Sequence, residues 1–130
     1  MNWLNDNAML LSQKTLDAAW ARQRLTLTNI ANVDTPGYKA KYAVFETVLQ
    51  DRLDRLKNAR HLSSSEIGDA IQDVGVQVRE SREESMRLDG NNVNLDVEQL
   101  ELTRTIYEYQ FALRQISDQF TRLRVAIEGR

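Results

Sequence analysis

The sequence predicts a mainly α-helical chain: an antiparallel pair of long terminal helices, coiled-coil-like, around a small and partly irregular central region. Three observations predict it. A 3,4-spaced apolar pattern runs through most of the first 33 residues. A second, cleaner one runs from Leu95 to Ile127, and the residues between the two change period repeatedly. Neither terminal stripe can be buried by its own helix, so each needs a partner, and one chain supplies both. We therefore divide the chain into residues 1–37, an N-terminal helix with a stop signature; 38–92, a central variable region; and 93–130, a C-terminal heptad helix. The two terminal helices should form one domain.

The first helix is expected from about residue 4 to 33. Leu4, Ala8, Leu11, Ala18 and Leu25 make one stripe, and Met9, Leu16, Trp20, Leu27 and Ile30 make a second beside it. Two adjacent stripes give a wide apolar surface, which points to packing on two sides. Trp3 and Trp20 read as core or interface anchors. The helix must then stop. Thr35 precedes a proline and is pushed out of the α region, and Pro36 has no N–H to continue the ladder. Pro36-Gly37 suits the centre of a type II turn, from which Tyr38, Lys39 and Lys41 leave in a new direction. Asn29 and Asn32, three apart, share one helix side. Each offers a carbonyl acceptor and two amide donors, which suits them to backbone groups of an adjoining chain.

The middle is mixed. Phe45, Val48, Leu49, Leu53 and Leu56 are helically spaced and interleaved with charge; Ser63-Ser-Ser-Glu66 reads as a loop or a fresh N-cap. Val74, Val76 and Val78 alternate and predict a short strand. Ser81 to Arg87 is charged and solvated, and Leu88-Asp-Gly-Asn-Asn92 is a turn, because Asp, Gly and Asn tolerate left-handed backbone angles.

The C-terminal helix carries the clearest pattern. From Leu95, steps of 4 and 3 land on Gln99, Leu102, Ile106, Tyr109, Leu113, Ile116, Phe120, Leu123 and Ile127, and only Gln99 breaks the seam. Asn94 is the expected N-cap, with Asp96 and Glu98 placed for the helix dipole.

Composition narrows the function classes. The 130 residues carry a net charge of −2, with no segment strongly biased, so there is no basic field for nucleic acid and no polybasic patch for lipid. Without cysteine, a disulfide frame and a thiolate zinc site are excluded. The lone His61 has no second histidine or cysteine to complete a nucleophilic set, and there is no phosphate loop or metal-ligand spacing. We expect no enzyme and no cofactor. No stretch approaches the ~20 apolar residues of a membrane span, and the N-terminus lacks the pattern of a cleavable signal.

The string Asn29-Ile30-Ala31-Asn32, followed by Thr35-Pro36-Gly37-Tyr38-Lys39, resembles the N-terminal signature of the bacterial flagellar axial family, the rod and hook proteins. One departure shows: Thr28 stands where that family usually has the first of two asparagines. The segment Asp89-Gly90-Asn91-Asn92-Val93-Asn94-Leu95-Asp96 resembles the one that introduces the last helix in the proximal rod members. The order of the two motifs and the short middle favour that subgroup, and the similarity covers about residues 8–45 and 88–127.

The resemblance implies a structural subunit of the basal-body rod that polymerises with other axial proteins, joins the MS ring to the distal rod and transmits torque. It implies as partners other flagellar rod proteins, copies of itself, the MS-ring/rod adaptor (FliE-type), the MS ring and the flagellar export apparatus. It implies an unprocessed passage across the inner membrane to a periplasmic rod, with no membrane insertion. On that reading residues 29–32 and 35–39 form an assembly motif, residues 89–96 introduce the last helix, and Leu102, Ile106, Tyr109, Leu113, Ile116, Phe120, Leu123 and Ile127 form a heptad interface. The alternative is a cytoplasmic helical-hairpin adaptor that binds one partner helix. An adaptor would need neither motif.

Overall fold

The computed structural model describes residues 3–59 and 61–129, with side chains from Asn7 onward and not that of Ala59. The side chains of Trp3 and Leu4, an expected anchor and a stripe member, lie outside it. In order, the elements are α1 (Trp3–Ala31), β1 (Lys41–Val44), α2 (Glu46–Ala59), α3 (Ser64–Asp73), β2 (Gln77–Glu80) and α4 (Leu95–Glu128). At 1.5 Å per residue, α4 spans about 50 Å.

Helices α1 and α4 pack together, and their side-chain bonds fix the direction. Gln119 Nε2 donates to Ser12 Oγ at 3.1 Å, Arg22 Nη1 to Glu108 Oε2 at 3.3 Å, and Asn29 Nδ2 to Glu98 Oε2 at 3.1 Å. One number rises as the other falls, so the pair is antiparallel, as the two apolar patterns predict.

What closes the pair differs from the leucine-rich seam in the sequence. On α1 the buried positions facing α4 are Ser12, Ala19, Thr26 and Asn29; on α4 they include Glu98, Thr105 and Ala112. Ser12, Ala19 and Thr26 recur every seven residues, as do Glu98, Thr105 and Ala112, so these small and polar side chains form a heptad seam of their own. The expected seam is split by it. Leu102, Tyr109, Ile116 and Leu123 are half-buried at its edge. Ile106, Leu113, Phe120 and Ile127 stand exposed on the flank, with Leu113 48% and Phe120 55% accessible. The contact is centred on the Glu98, Thr105 and Ala112 row; at about 100° per residue Leu102 lies about 60° round the helix from Thr105 and Ile106 about 100°, which puts the second series on the outer flank.

A second face of α1 meets the central region. Ala18 is buried with Phe45, Leu49, Ile71 and Val74, and Leu10, Val48, Leu53, Ile67 and Val76 pack around them. The middle therefore holds more than loops: α2 and α3 contribute to a core, and two strands pair into a small sheet. Helix α3 starts at a capping box, with Ser63 Oγ accepting from Glu66 N and the Glu66 carboxylate accepting from Ser63 N. Strands β1 and β2 pair antiparallel, Lys41 opposite Glu80 and Val44 opposite Gln77. The valine alternation places the strand three residues early. Val74 is the C-cap of α3 and sits in the core, so only Val78 of the three lies in β2.

An ion-pair cluster ties the layers. Arg22 on α1 pairs with Glu46 at the start of α2 and with Glu108 on α4, which also accepts from Arg104 Nε at 2.9 Å. Burial alone would raise the Glu46 carboxyl, but the Arg22 guanidinium more than offsets it and holds Glu46 below its ordinary value.

The small-residue seam makes a direct prediction. Ala112→Leu, at a position 2% exposed, should destabilise the purified chain by about 1–3 kcal/mol through overpacking. Leu113→Ala, one residue away on the exposed flank, should stay within about 0.5 kcal/mol of the parent in urea denaturation.

Candidate functional site

Helix α1 ends in a knot of hydrogen bonds built from both sequence motifs. Asn32 N donates to both Thr28 O and Asn29 O at 3.1 Å, and Val33 N donates to Ile30 O at 3.2 Å, so the last turn tightens as the helix ends. Tyr38 N then donates to Thr35 O at 3.2 Å across Pro36-Gly37, and Gly37 has φ +73°. This is the type II turn that the sequence predicts.

The carbonyls left open at the end of α1 need donors. They find them more than fifty residues away. Asn91, 1% exposed, donates through Nδ2 to Asn32 O at 2.8 Å and to Thr35 O at 2.9 Å, while its Oδ1 accepts from Val93 N at 2.8 Å. The Arg87 guanidinium donates to Val33 O and pairs with Asp89 at 3.2 Å and Asp34 at 3.8 Å. A cation at a helix C-terminus also suits the macrodipole.

The backbones then zip. Gly37 N donates to Asp89 O at 2.8 Å, Asn92 N to Tyr38 O at 3.2 Å, and Ala40 N to Asn92 Oδ1 at 2.7 Å, while Lys39 Nζ reaches Gly90 O. Gly90 also takes a positive φ, +78°, and a Cβ there would lie 3.8 Å from Gly37 Cα, so the two turns touch at their glycines. Asn94 caps α4 as expected, accepting from Asp96 N at 3.1 Å and Val97 N at 3.4 Å.

Asn29, 2% exposed, is the second buried amide. Its Nδ2 donates to Lys41 O at 2.8 Å and to Glu98; its Oδ1 accepts from Lys41 N at 2.9 Å and from Tyr38 Oη at 3.0 Å. All four of its hydrogen-bonding positions are used. Asn32 donates to Thr28 O at 2.8 Å and accepts from Thr35 Oγ1 at 3.0 Å. The expectation that these amides serve an adjoining chain is corrected for Asn29, whose four positions are all filled inside the chain, while Asn32 bonds Thr28 and Thr35 on its own side of the turn. Thr28, in the place of the missing asparagine, turns its hydroxyl back onto Arg24 O at 2.9 Å.

The remaining motif residues take supporting places. Ile30 is half-buried, Ala31, Thr35 and Pro36 are exposed, and Val93 is 6% exposed. Leu95 and Asp96 lie exposed in the first turn of α4. Glu98 is the residue that sequence reasoning placed for the helix dipole but not for burial. It is 9% exposed, and burial, with a smaller push from Glu101, raises its carboxyl above the ordinary value despite the Asn29 bond. Burial, with Glu98 and Glu80 nearby, likewise raises the Tyr38 phenol, which stays a donor.

The arrangement is a structural joint. It sets the angle at which the chain leaves α1 and ties that exit to the start of α4. Nothing in the sequence shows that two motifs 50 residues apart share one joint; only their pairing of buried-amide residues with Gly turns hints at it. Among the described residues no cluster of three or more acidic or histidine side chains is placed to hold a metal, and no helix is long and apolar enough to cross a membrane.

The two motifs that build the joint are those by which the sequence resembles the flagellar axial family. No protein-family model matches the chain. The flagellar basal body rod protein FlgB of Bacillus subtilis (strain 168) is 31% identical over 121 residues, covering 90% of each chain. FlgB of Escherichia coli (strain K12) is 29% identical over 121 residues and 88% of each, and FlgB of Salmonella typhimurium (strain LT2) 26% identical over 135 residues and 95% of each. The chain belongs to the FlgB family of flagellar basal body rod proteins.

Two outcomes test the joint. Asn91→Ala strands two part-buried carbonyls and the buried Val93 amide, so the purified chain should lose about 1–3 kcal/mol of stability while its helix content by circular dichroism stays near the parent's. The second concerns pH. The folded chain binds the Glu98 proton more tightly than the unfolded chain, so stability falls as pH rises from the ordinary Glu value through the raised one. Glu98→Gln keeps an acceptor for Asn29 and removes the buried charge. Its Tm should exceed the parent's at pH 7, and the gap should close below the ordinary Glu value.

Proposed function

We propose that this chain is a structural subunit of the flagellar basal-body rod, polymerising with copies of itself and other axial proteins to connect the MS ring to the distal rod and carry torque. The single observation that carries the reading is the placement of large apolar side chains. The hairpin is closed inside by Ser, Thr, Ala, Asn and Glu, while Ile106, Leu113 and Phe120 on α4 and Trp20 and Leu27 on α1 are left outside. These residues recur at helical spacing, so they form stripes along the flanks rather than scattered exposures. A contiguous apolar surface of this kind marks an interaction site. Two stripes on an elongated pair suit packing among parallel neighbours in a tube.

Within the rod, the subunit's activity is stiffness and register. The joint at Asn29, Gly37 and Asn91 holds the two helices and the central region as one body, so force applied to one helix is passed to the other. Partners on this reading are the other rod proteins, the FliE-type adaptor, the MS ring and, during delivery, the flagellar export apparatus. The chain reaches the periplasmic side unprocessed. A cytoplasmic adaptor that binds one helix would leave one stripe exposed, whereas here stripes stand on both helices and the family is that of rod proteins.

The test separates folding from assembly. Ile106→Asp and Leu113→Asp place charge on exposed positions, so each purified variant should keep the parent's Tm within a few degrees. Each should nevertheless be missing from isolated basal bodies and leave cells non-motile, because a buried unpaired carboxylate costs several kcal/mol at an interface. Normal incorporation of both would remove the stripe from the assembly surface.

A further inference from the structure

A cleft of about 1180 Å³ lies between the α1–α4 pair and the ribbon of β1 and β2. Most of its carboxylates are matched from within the chain. Arg22 pairs with Glu46 and Glu108, and Arg104 with Glu108 at 2.9 Å and Glu101 at 3.5 Å. Glu98, on the same cleft, is different. It is 9% exposed, and its one bond is the Asn29 amide at 3.1 Å on Oε2. Among the described residues no cation pairs with it, not even Lys41 or Arg82 of the same cleft. Glu101, the charge that acts on it, is of like sign.

The start of α4 does not serve this carboxylate either. Asn94 takes the amides of Asp96 and Val97 on its side chain and that of Glu98 on its carbonyl. Buried carboxylates in folded proteins are ordinarily paired with a cation or bound to a metal, because leaving water costs a lone charge heavily. No group of three or more ligands fits a metal among the described residues. The free chain therefore keeps a nearly buried charge that its own cations do not match, in a cleft open to solvent beside the exposed Tyr42 and Val97.

We propose that Glu98 is an assembly contact: a lysine or arginine side chain of a neighbouring rod subunit enters the cleft and places its charge between Glu98 and Glu101. This rests on the rod reading above and deepens it with a polar contact separate from the apolar flank of α4. The aliphatic stem of such a side chain lies against Val97 and Tyr42 while its head meets the free Glu98 oxygen. The charge serves recognition at the expense of the free fold. A neutral side chain would stabilise the isolated chain and leave the partner's cation unmatched.

Two variants separate recognition from folding. Glu98→Gln keeps the Asn29 acceptor without the charge, so it should match or exceed the parent's Tm at pH 7. In cells expressing it beside the parent at equal level, its share of isolated basal bodies should nevertheless be roughly tenfold lower or less. Glu98→Asp keeps the charge and shortens the reach to Asn29; it should melt below the parent and still incorporate better than Glu98→Gln. A residue that served only the fold would incorporate in the order of Tm. That order, or equal incorporation of Glu98→Gln and the parent, would overturn the contact and leave the rod reading standing. With p-benzoylphenylalanine in place of Tyr42, irradiated basal bodies should show a crosslink from the cleft to another subunit, and adducts confined to the variant's own chain would equally overturn the contact. A parent chain missing from basal bodies would overturn the rod reading, and this contact with it.

Discussion

Small side chains at every seventh position of α1 and α4 are the constraint from which the rest follows. In the register set by the Ser12–Gln119 and Arg22–Glu108 bonds, Ala19 lies beside Ala112 and Thr26 beside Thr105. Such a seam lets two helices pair with their large apolar groups at its edge, as Leu102, Tyr109, Ile116 and Leu123 are, rather than at its centre. A leucine-filled seam would bury more area and give a more stable monomer. It would also leave nothing to bury between subunits. Here Ile106, Leu113 and Phe120 of α4 stay exposed, and on the proposed rod reading their burial is left for a neighbouring chain.

A pair held by small and polar residues needs a second source of order, and the joint supplies it. Stopping α1 at Asn32 exposes carbonyls that water would otherwise satisfy. Asn91 and Arg87 reach them from the segment that introduces α4, and Asn29 closes the same region from the helix side. Buried amides of this kind contribute little net energy when satisfied and cost heavily when unmatched. They therefore select one geometry of exit from α1 over its alternatives. Glu98 adds a charge to that region that burial disfavours, so the joint is less stable at neutral pH than a neutral side chain would make it.

Much of this was legible in the chain before any coordinates. The two terminal helices, the Pro36-Gly37 turn, the Asn94 cap and the family resemblance all follow from local spacing and residue chemistry, while Ser63–Glu66 reads locally as either a loop or an N-cap. What sequence could not show was pairing across distance. The heptad from Leu95 to Ile127 is real as a pattern, but periodicity names a stripe and not the surface it meets. The partner of α1 turned out to be the quieter series through Glu98, Thr105 and Ala112, which hydrophobicity alone passes over. Asn29 looked like a group offered outward, and its partners Lys41, Glu98 and Tyr38 come together only in the fold, whereas Asn32 is met locally by Thr28 and Thr35. The central helices were weakly signalled, since their apolar positions are few and interleaved with charge.

The central claim is that the large apolar flank of α4 is reserved for neighbouring chains. A density map of an intact basal body at side-chain resolution tests it most directly. Ile106, Leu113 and Phe120 should each be covered by side chains of adjacent subunits, while Ala19 and Ala112 stay paired within one chain. Finding those three side chains in solvent, or folded back against α1 of their own chain, would contradict it.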